Sequence, residues 1–356
     1  MKFMHFSDVH LGVEPDAGKP WSKQRARSIW ETLAETVAEA GRQRVDFLLI
    51  SGDLFHKQPL KRELKEVDYL FSQIPDVKVA LVAGNHDHMQ PKCYYLDFEW
   101  SKNVFFFKEE EVTSIDFPEE NVTIYGMSYW HKKLPKRCYD DLGEVNPNRI
   151  NILLAHGGDD AHIPYTAKQV LDQGIDYIAG GHLHTGRQLV EDKAIIAGPL
   201  EPTESKEVGP HGYWIGEIVK QDGKAEQSCH FFPIKKCEYC NETIEVTPKT
   251  TMFELESQIK ELVAAGEPYK MYRIFLEGYV DPEQEYDFAH LEQLPQIAAV
   301  FLELRPDYDY DRLREEQQDS LLGRYIEQMQ KLPQDVVTKK AMEYGVNALL
   351  GHDTCK

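Results

Sequence analysis

Residues Ile175–His184 read IDYIAGGHLH: an apolar run long enough for one buried strand, then two glycines, then two histidines one residue apart. On an extended segment residues i and i+2 face the same way, so His182 and His184 can aim together. The glycines let the backbone turn sharply and leave room for an ion and its substrate. The same construction recurs upstream. MKFMHFSDVH ends in Asp8 and His10, VDFLLISGDLF in Asp53, VKVALVAGNHDH in Asn85, His86 and Asp87, and INILLAHGG in His156. A core that merely satisfied its polar groups has no reason to finish so many successive strands in His, Asp or Asn.

Outward from these clusters, the first two hundred residues alternate short apolar runs with amphipathic segments, an α/β pattern with its chemistry at strand ends. NVFFF, VTIYGMSYW and KAIIAGPLEP are further apolar runs that feed a break. SKQRARSIWETLAETVAEAGRQR carries Ile29, Leu33, Val37 and Ala40 at helical spacing, with Ser22 as the expected N-cap. GYWIGEIV and CHFFPI look like the strands that close this unit. From about Cys240 the grammar changes to TIEVTP, a helix with a capping box at Thr251 and Glu254, the strand YRIFLEGYV, a short helix near His290, and the strand AAVFLELRP. From Tyr308 onward the text is helical and charged, with Leu313, Leu321, Leu322, Tyr325, Ile326 and Met329 at helical spacings. Three segments are therefore expected: 1–238, a small α+β unit at 239–307, and a helical region at 308–356.

Composition narrows the function. At 356 residues and 42% hydrophobic the chain can bury a large core, and no run approaches the roughly 20 apolar residues of a membrane-spanning helix. The first residues lack a secretory apolar region, so a cytoplasmic protein with no membrane partner is expected. Six irregularly spaced cysteines, Cys355 among them, do not form a disulfide framework. A formal charge of −20 argues against a protein that coats nucleic acid by bulk electrostatics. A polyanionic substrate would have to meet positive charge supplied locally, and bound metal ions could supply it.

The candidate ligands Asp8, His10, Asp53, Asn85, His156, His182 and His184 comprise two carboxylates, one amide oxygen and four imidazoles. That set suits manganese, iron or zinc better than an all-oxygen magnesium or calcium site. Seven donors are too many for one such ion and right for two sharing a carboxylate. Two divalent ions against two carboxylates leave a local charge of about +2, attractive to a phosphate.

D-x-H, G-D, G-N-H-[DE], H-G and G-H-x-H in this order form the signature of the calcineurin-like metallophosphoesterases, which the sequence resembles at every element. The resemblance implies a four-layer α/β sandwich, two mixed β-sheets flanked by helices, with a dimetal site at the strand ends. It also implies that one metal takes Asp8, His10 and His184, that the other takes Asn85, His156 and His182, and that Asp53 bridges them. Mn2+ is the first expectation, with Fe2+ or Zn2+ as alternatives. His86 then binds neither metal and protonates the leaving oxygen or positions phosphate, with Asp87 orienting its ring. The ions would activate water for in-line attack on the phosphorus.

HFSDVHLG, VALVAGNHD and AIIAGPLEPTESKEVGPHGYWIGEI are similar to the bacterial SbcD nuclease subunits and related DNA repair exonucleases, through about residue 235. That similarity implies a manganese-dependent DNA nuclease acting as a homodimer. Residues 239–307 would form its capping domain, and the helices of 308–356 would bind an SbcC-like coiled-coil ATPase. A tail that packs on its own domain is the plainer reading of those helices. A phosphodiesterase or phosphatase acting on a small molecule or a phosphoprotein is the alternative function, and a scaffold without catalysis a third.

Positive charge for a DNA backbone is scarce. Lys23, Arg25 and Arg27 at a helix start, and Lys132, Lys133, Lys136 and Arg137 beside His131 in one loop, are the best candidates for phosphate contacts, although an ordinary solvated face is the favoured reading of either cluster. Cys237 and Cys240 make a lone C-x-x-C without a second pair. His5, His56, His88, His162, His230, His290 and His352 fall outside the signature and default to structural or surface roles.

Overall fold

The computed structural model describes residues 1–282 and 286–351. His352, Cys355 and the end of the expected helical region lie outside the described residues. The chain divides into two compact units, the first formed by Met1–Asn241 with Gly266–Arg273, the second by Glu242–Ala265 and residues from Ile274 onward.

The first unit runs β1 (Lys2–Phe6), α1 (Ser22–Arg42), β2 (Phe47–Ser51), α2 (Lys61–Ser72), β3 (Lys78–Val82), α3 (Tyr94–Asp97), β4 (Val104–Phe107), β5 (Thr113–Phe117), β6 (Val122–Gly126) and β7 (Ile150–His156). It continues through α4 (Ala167–Leu171), β8 (Tyr177–Gly181), β9 (Arg187–Val190), β10 (Ala194–Ile196), β11 (Gly212–Gln221) and β12 (Lys224–Pro233). Two six-stranded sheets result, ordered β12-β11-β1-β2-β3-β4 and β5-β6-β7-β8-β10-β9. Both are mixed: β1 to β4 run parallel while β11 is antiparallel to β1, and β6, β7, β8 and β10 run parallel between antiparallel edges.

The layering follows from strand periodicity. On β2, Leu48 and Ile50 face an outer cluster with Leu33, Val37, Leu64 and Val67 of α1 and α2. Phe47 and Leu49 face the opposite way, into a cluster shared with Ile152, Leu154 and Ala179 of the second sheet. That second sheet turns its other face, Leu153, Ala155 and Ile178, to Val170 of α4 and to Tyr129 and Tyr139. A strand buried on both faces reads as a continuous apolar run, which is why FLLIS and INILLAH show no polar alternation. Helices, sheet, sheet and helix make the expected four-layer sandwich. The parallel strands β1, β2, β3, β7 and β8 bring their carboxyl ends to the segments that carry the signature residues.

The expected cap of α1 is displaced by one residue. Trp21 holds the cap position in a helical conformation without a side-chain cap, because a preceding turn already ties Ser22 N–H to the Lys19 carbonyl at 3.1 Å. Arg25 is also not where a phosphate contact should be. It lies on the buried face of α1, where its guanidinium pairs with Glu201 and donates to the Pro202 carbonyl at 2.8 Å. Glu201 accepts from Ser28 at 2.8 Å and Thr32 at 2.5 Å as well. The i, i+3 and i+7 positions of the helix thus converge on one buried carboxylate, and helical spacing, not solvent, decides the fate of Arg25.

In the second unit, β13 (Glu238–Val246), α5 (Met252–Ala265), β14 (Lys270–Val280), α6 (Phe288–Leu291) and β15 (Ile297–Pro306) form a three-stranded sheet ordered β13-β14-β15 with its helices. β13 and β14 begin in the first unit and run into the second. The capping box is present, with Thr251 N–H donating to Glu254 at 2.7 Å and Glu254 N–H to Thr251 Oγ1 at 3.3 Å. Helices α7 (Tyr310–Glu316), α8 (Leu321–Gln330) and α9 (Val336–Leu350) close around Tyr308, Leu322, Ile326, Met342 and Val346. Leu321, Val336 and Val337 point to solvent at 71%, 72% and 75% exposure.

Two consequences can be measured. Arg25→Ala strands Glu201 as a buried, uncompensated charge and is expected to cost about 3–5 kcal/mol in denaturant unfolding, against at most about 0.5 kcal/mol for exposed Arg27→Ala. His5 is buried between the hydroxyls of Tyr177 at 3.0 Å and Ser51 at 2.9 Å, and burial holds its pKa down at about 3. The unfolded chain therefore binds one more proton than the folded chain between pH 3 and about 6.5. Stability present above that window is lost as pH falls through it, by about 1.4 kcal/mol per unit. His5→Gln is expected to make the fall between pH 4 and pH 6 shallower by up to one proton; an unchanged slope in urea titrations would show the ring to be charged in the fold.

Candidate metal centre

The turns after β1 and β2 are zipped together beyond the sheet: Asp8 N–H donates to the Gly52 carbonyl and His10 N–H to the Asp53 carbonyl, both at 3.0 Å, and Leu11 N–H to the Leu54 carbonyl at 2.9 Å. Within this ladder Asp8, His10 and Asp53 have φ of 52°, 50° and 50°, and His182 after β8 has φ of 84°. The expectation that Asp8 and His10, or the two histidines of GGHLH, share a direction through extended-strand alternation is therefore corrected. At Asp8, His10 and His182 the backbone instead enters the left-handed region, which non-glycine residues adopt only at a cost and which concentrates at functional sites. The glycines give room to the donors themselves: a Cβ on Gly84 would lie 2.2 Å from Asp53 Oδ1, and one on Gly181 2.2 Å from the Ser51 carbonyl oxygen.

The structure brings all seven candidate donors together. Asp53 Oδ2 lies 3.8 Å from His10 Nε2 and 3.4 Å from His156 Nε2, so one carboxylate oxygen faces both halves of the site. On one side His10 Nε2 meets His184 Nε2 at 3.0 Å, and Asp8, His10 and His184 form a metal-capable group. On the other, Asn85 Oδ1 lies 3.0 Å from both His156 Nε2 and His182 Nδ1. Asp8 accepts from Ser7 Oγ at 2.5 Å and from His182 N–H at 3.0 Å.

Hydrogen-bond polarity tests whether this set suits metal ions. His156 Nδ1 faces the Ser51 carbonyl at 2.8 Å, which only accepts, so that nitrogen carries the proton. His182 Nε2 faces Asp159 at 2.8 Å and His184 Nδ1 faces Glu207 at 2.5 Å, which places their protons outward too. In the neutral rings of His156 and His182 the inner nitrogen is then a lone pair aimed at the Asn85 amide oxygen, itself an acceptor, an arrangement that a cation between them would satisfy. The outer carbonyl or carboxylate is the second layer that orients metal-binding histidines. His10 Nδ1 is buried with no hydrogen-bond partner, an orphaned polar atom on a ring of the cage. Two imidazole nitrogens 3.0 Å apart also match the roughly 3 Å edge between neighbouring ligands of an ion with bonds of about 2.0–2.1 Å.

Without ions, protons take the cations' place. Burial opposes charge on His156, but Asp53 and Asp8 outweigh it and push its pKa up to about 9. Burial likewise opposes charge on His184, and the hydrogen bond to Glu207 with the charge of Asp8 raises it to about 9. His182, desolvated and facing His156, is held down at about 4. Burial also works against ionisation of Asp53, yet His156 and His10 hold its carboxyl well below the usual range.

His86 stands at the rim, its backbone N–H donating to Asp53 Oδ1 at 2.8 Å and its ring 4.7 Å from that of His10. Its Nδ1 meets the His56 carbonyl at 3.2 Å. The expectation that Asp87 orients this ring is corrected. Asp87 is fully buried and accepts from Gly84 N–H at 2.8 Å, Phe55 N–H at 3.2 Å and Tyr95 O–H at 2.8 Å, which makes it a brace for the loop. Burial, then the nearby Asp53, pushes its pKa up to about 7.

Several functional positions escaped sequence reasoning. His56, expected at the surface or in a structural role, groups with His10 and His86, and His162 groups with Asp159 and His182. Asp159 follows His156 by three residues in HGGD, and His56 follows Asp53 by three in GDLFH; both sit within the signature's neighbourhood, whereas Glu207 carries no local signal. His88 braces the Asn85 carbonyl at 3.0 Å. Cysteines take no part: among the described residues none forms a disulfide or belongs to a metal-capable group, and burial pushes the Cys237 thiol up to about 12. Of the basic candidates, Lys23, Lys132, Lys133 and Lys136 are exposed with no ion pair among the described residues, while Arg27 is bound to Glu31 and Arg137 to Asp140.

A four-layer sandwich with His, Asp and Asn donors converging at its strand ends defines a metal-dependent phosphoester hydrolase. The calcineurin-like phosphoesterase profile matches residues 1–186, over half of the chain, and the chain belongs to that family. It is 27% identical over 301 residues to the uncharacterized metallophosphoesterase YhaO of Bacillus subtilis, covering 78% of this chain and 72% of that protein. It is 28% identical over 274 residues to the DNA double-strand break repair protein Mre11 of Methanococcus maripaludis, covering 66% of this chain and 69% of that one. For Mre11 of Saccharolobus solfataricus the figures are 24% over 225 residues, 60% and 57%. Among solved structures, a dimetal phosphatase from Danio rerio aligns with a TM-score of 0.40 at 14% identity, over 61% of this chain and 92% of that one. No helix among the described residues is long and apolar enough to cross a membrane.

If Asp159 and Glu207 set the tautomers of His182 and His184, Asp159→Ala and Glu207→Ala should each weaken binding of Mn2+ to the metal-free protein by about 10- to 100-fold. Calorimetric titration would measure this, and unchanged affinity in both variants would remove the outer layer from the account.

Proposed function

We propose that the chain is a dimetal phosphodiesterase that cleaves DNA. The reading rests above all on the carboxylate of Asp53 standing between two groups of lone-pair donors. The family supports phosphoester hydrolysis, and the similarity to proteins named for DNA double-strand break repair favours DNA as the polymer. Asp8, His10 and His184 would hold one ion, Asn85, His156 and His182 the other, with Asp53 shared. Mn2+ suits this mixed nitrogen and oxygen set best, with Fe2+ or Zn2+ as substitutes. Such ions, when bound, supply Lewis acidity for water and for the phosphoryl oxygens.

The chain's own groups do the rest. With its Nδ1 proton held by the His56 carbonyl, His86 keeps Nε2 for a proton that it can deliver to the leaving oxygen. Asp87, through Gly84 and Phe55, keeps the loop that bears His86 in place. Lys23, Lys132, Lys133 and Lys136, exposed and with no ion pair among the described residues, are the remaining candidate phosphate contacts. The exposed Leu321, Val336 and Val337 of the last helices suit the proposed SbcC-like coiled-coil ATPase, and a homodimer working in the cytoplasm completes the proposal.

In manganese buffer the purified protein is expected to degrade DNA. His86→Ala should lose about 10²-fold or more in cleavage while retaining its metal content by elemental analysis. Fully loaded wild-type protein that hydrolyses bis-p-nitrophenyl phosphate or phosphoprotein but no DNA, with or without the ATPase, would move the substrate to the smaller esters that a charge of −20 favours.

A further inference from the structure

β6 ends at Gly126, which pairs with Leu154, so β7 outruns this neighbour before it reaches His156. The buried backbone N–H and C=O of His156 must still find partners. Two tyrosines from the chain that follows β6 supply them. The Tyr129 hydroxyl donates to the His156 carbonyl at 3.0 Å; the Tyr139 hydroxyl accepts from the His156 N–H at 3.1 Å and donates to the same carbonyl at 3.3 Å. Both side chains are fully buried. The Tyr129 ring also packs against the His156 imidazole, at 89° with centroids 5.5 Å apart. Nothing larger than glycine fits at the next position: a Cβ on Gly157 would lie 2.9 Å from the Tyr129 hydroxyl and 2.4 Å from the His162 carbonyl oxygen.

The backbone of Tyr129 is tied elsewhere. Its N–H donates to the Ala83 carbonyl at 3.1 Å, and its carbonyl accepts from Met89 N–H at 2.7 Å. Ala83 and Met89 bracket the loop that carries Asn85 and His86. Ser128 adds a further tie, its Oγ accepting from Ala83 N–H at 2.8 Å and donating to the Phe107 carbonyl. Tyr129 thus grips the loop after β3, of the first sheet, by its main chain and the end of β7, of the second sheet, by its side chain. Those two segments bring Asn85 Oδ1 and His156 Nε2, 3.0 Å apart, to the same candidate ion. We infer that Tyr129 is a positioning residue for that ion's site, setting the register between the Asn85 loop and His156 across the two sheets, with Tyr139 as its support. A ligand pair drawn from two packed layers needs such a tie, because a small slip between them changes the gap that an ion with fixed bond lengths has to span. The other group, Asp8, His10 and His184, is held by the ladder after β1 and by Glu207 instead. The inference rests on the dimetal reading and adds to it a residue outside the metal-binding signature.

Calorimetric titration of the metal-free full chain with Mn2+ tests this independently of turnover. Two binding steps are expected, and the step that Asn85→Ala removes belongs to the site in question. Tyr129→Phe, which deletes only a hydroxyl, should weaken that step by about 10-fold or more and leave the other within about twofold. Tyr139→Phe should weaken the same step by about three- to tenfold, and it carries the test if Tyr129→Phe unfolds. Tyr177→Phe removes an equally buried hydroxyl whose partner is His5, not a candidate ligand, and should leave both steps unchanged. Unchanged affinities in the folded Tyr129→Phe and Tyr139→Phe variants, or equal weakening of both steps, overturn the positioning role alone. Wild-type protein that binds fewer than two Mn2+ ions overturns the dimetal reading, and the positioning role falls with it.

Discussion

A carboxylate taken fully out of water, as Asp53 is, survives only beside compensating positive charge. Here His156, whose pKa the neighbouring carboxylates raise, supplies that charge when protonated, and cations held by the candidate ligands would supply it instead. The rest of the first unit can be understood as the means of bringing five strand ends within reach of that one side chain. Two sheets are needed because no single edge could supply Asp8, Asn85, His156 and His182 together. The turns that aim the donors are left-handed at four non-glycine residues, each costing about 1 kcal/mol or more. The backbone ladder from Asp8 to Leu11 and the fully buried cores on either side of each sheet hold that strain in place.

The ring of acceptors outside the cage has equal weight. An imidazole can face a cation with either nitrogen, and the Ser51 carbonyl, Asp159 and Glu207 decide which. Because these acceptors hold the outward protons, cations bound at the inner nitrogens would displace the inward protons of His156 and His184, linking affinity to proton release. Cations held there would also let a chain with a charge of −20 present positive potential to a phosphate, concentrated at one point where the dielectric is low.

Much of the fold was legible in the sequence because its signals are local. Runs such as FLLIS and INILLAH report strands buried on both faces, and the Thr251 and Glu254 pair reports a helix start, since each depends on neighbours within a few residues. The short edge strands β5 and β9 were not visible, being mostly exposed and paired on one side only, with β6 and β10. The seven candidate donors, which the structure brings together, stood out in the sequence for the same reason as the strands: they punctuate apolar runs. The Asp87 assignment failed because proximity in sequence to His86 says nothing about which way a buried carboxylate turns. It turns toward Gly84, Phe55 and Tyr95, which offer it three protons.

The sequence alone determined the order of the donors, their place at strand ends and the layered α/β class, because periodicity and the punctuation of strands by glycine and polar residues are properties of short segments. Only the tertiary structure decided which nitrogen of each histidine faces inward, that Arg25 is an internal counter-ion to Glu201, and that the Tyr129 hydroxyl reaches the His156 carbonyl. Those facts join residues as far apart as the 105 positions between Ser51 and His156 and the 176 between Arg25 and Glu201. Separations of that length acquire meaning only when the sheets have packed and the solvent has left.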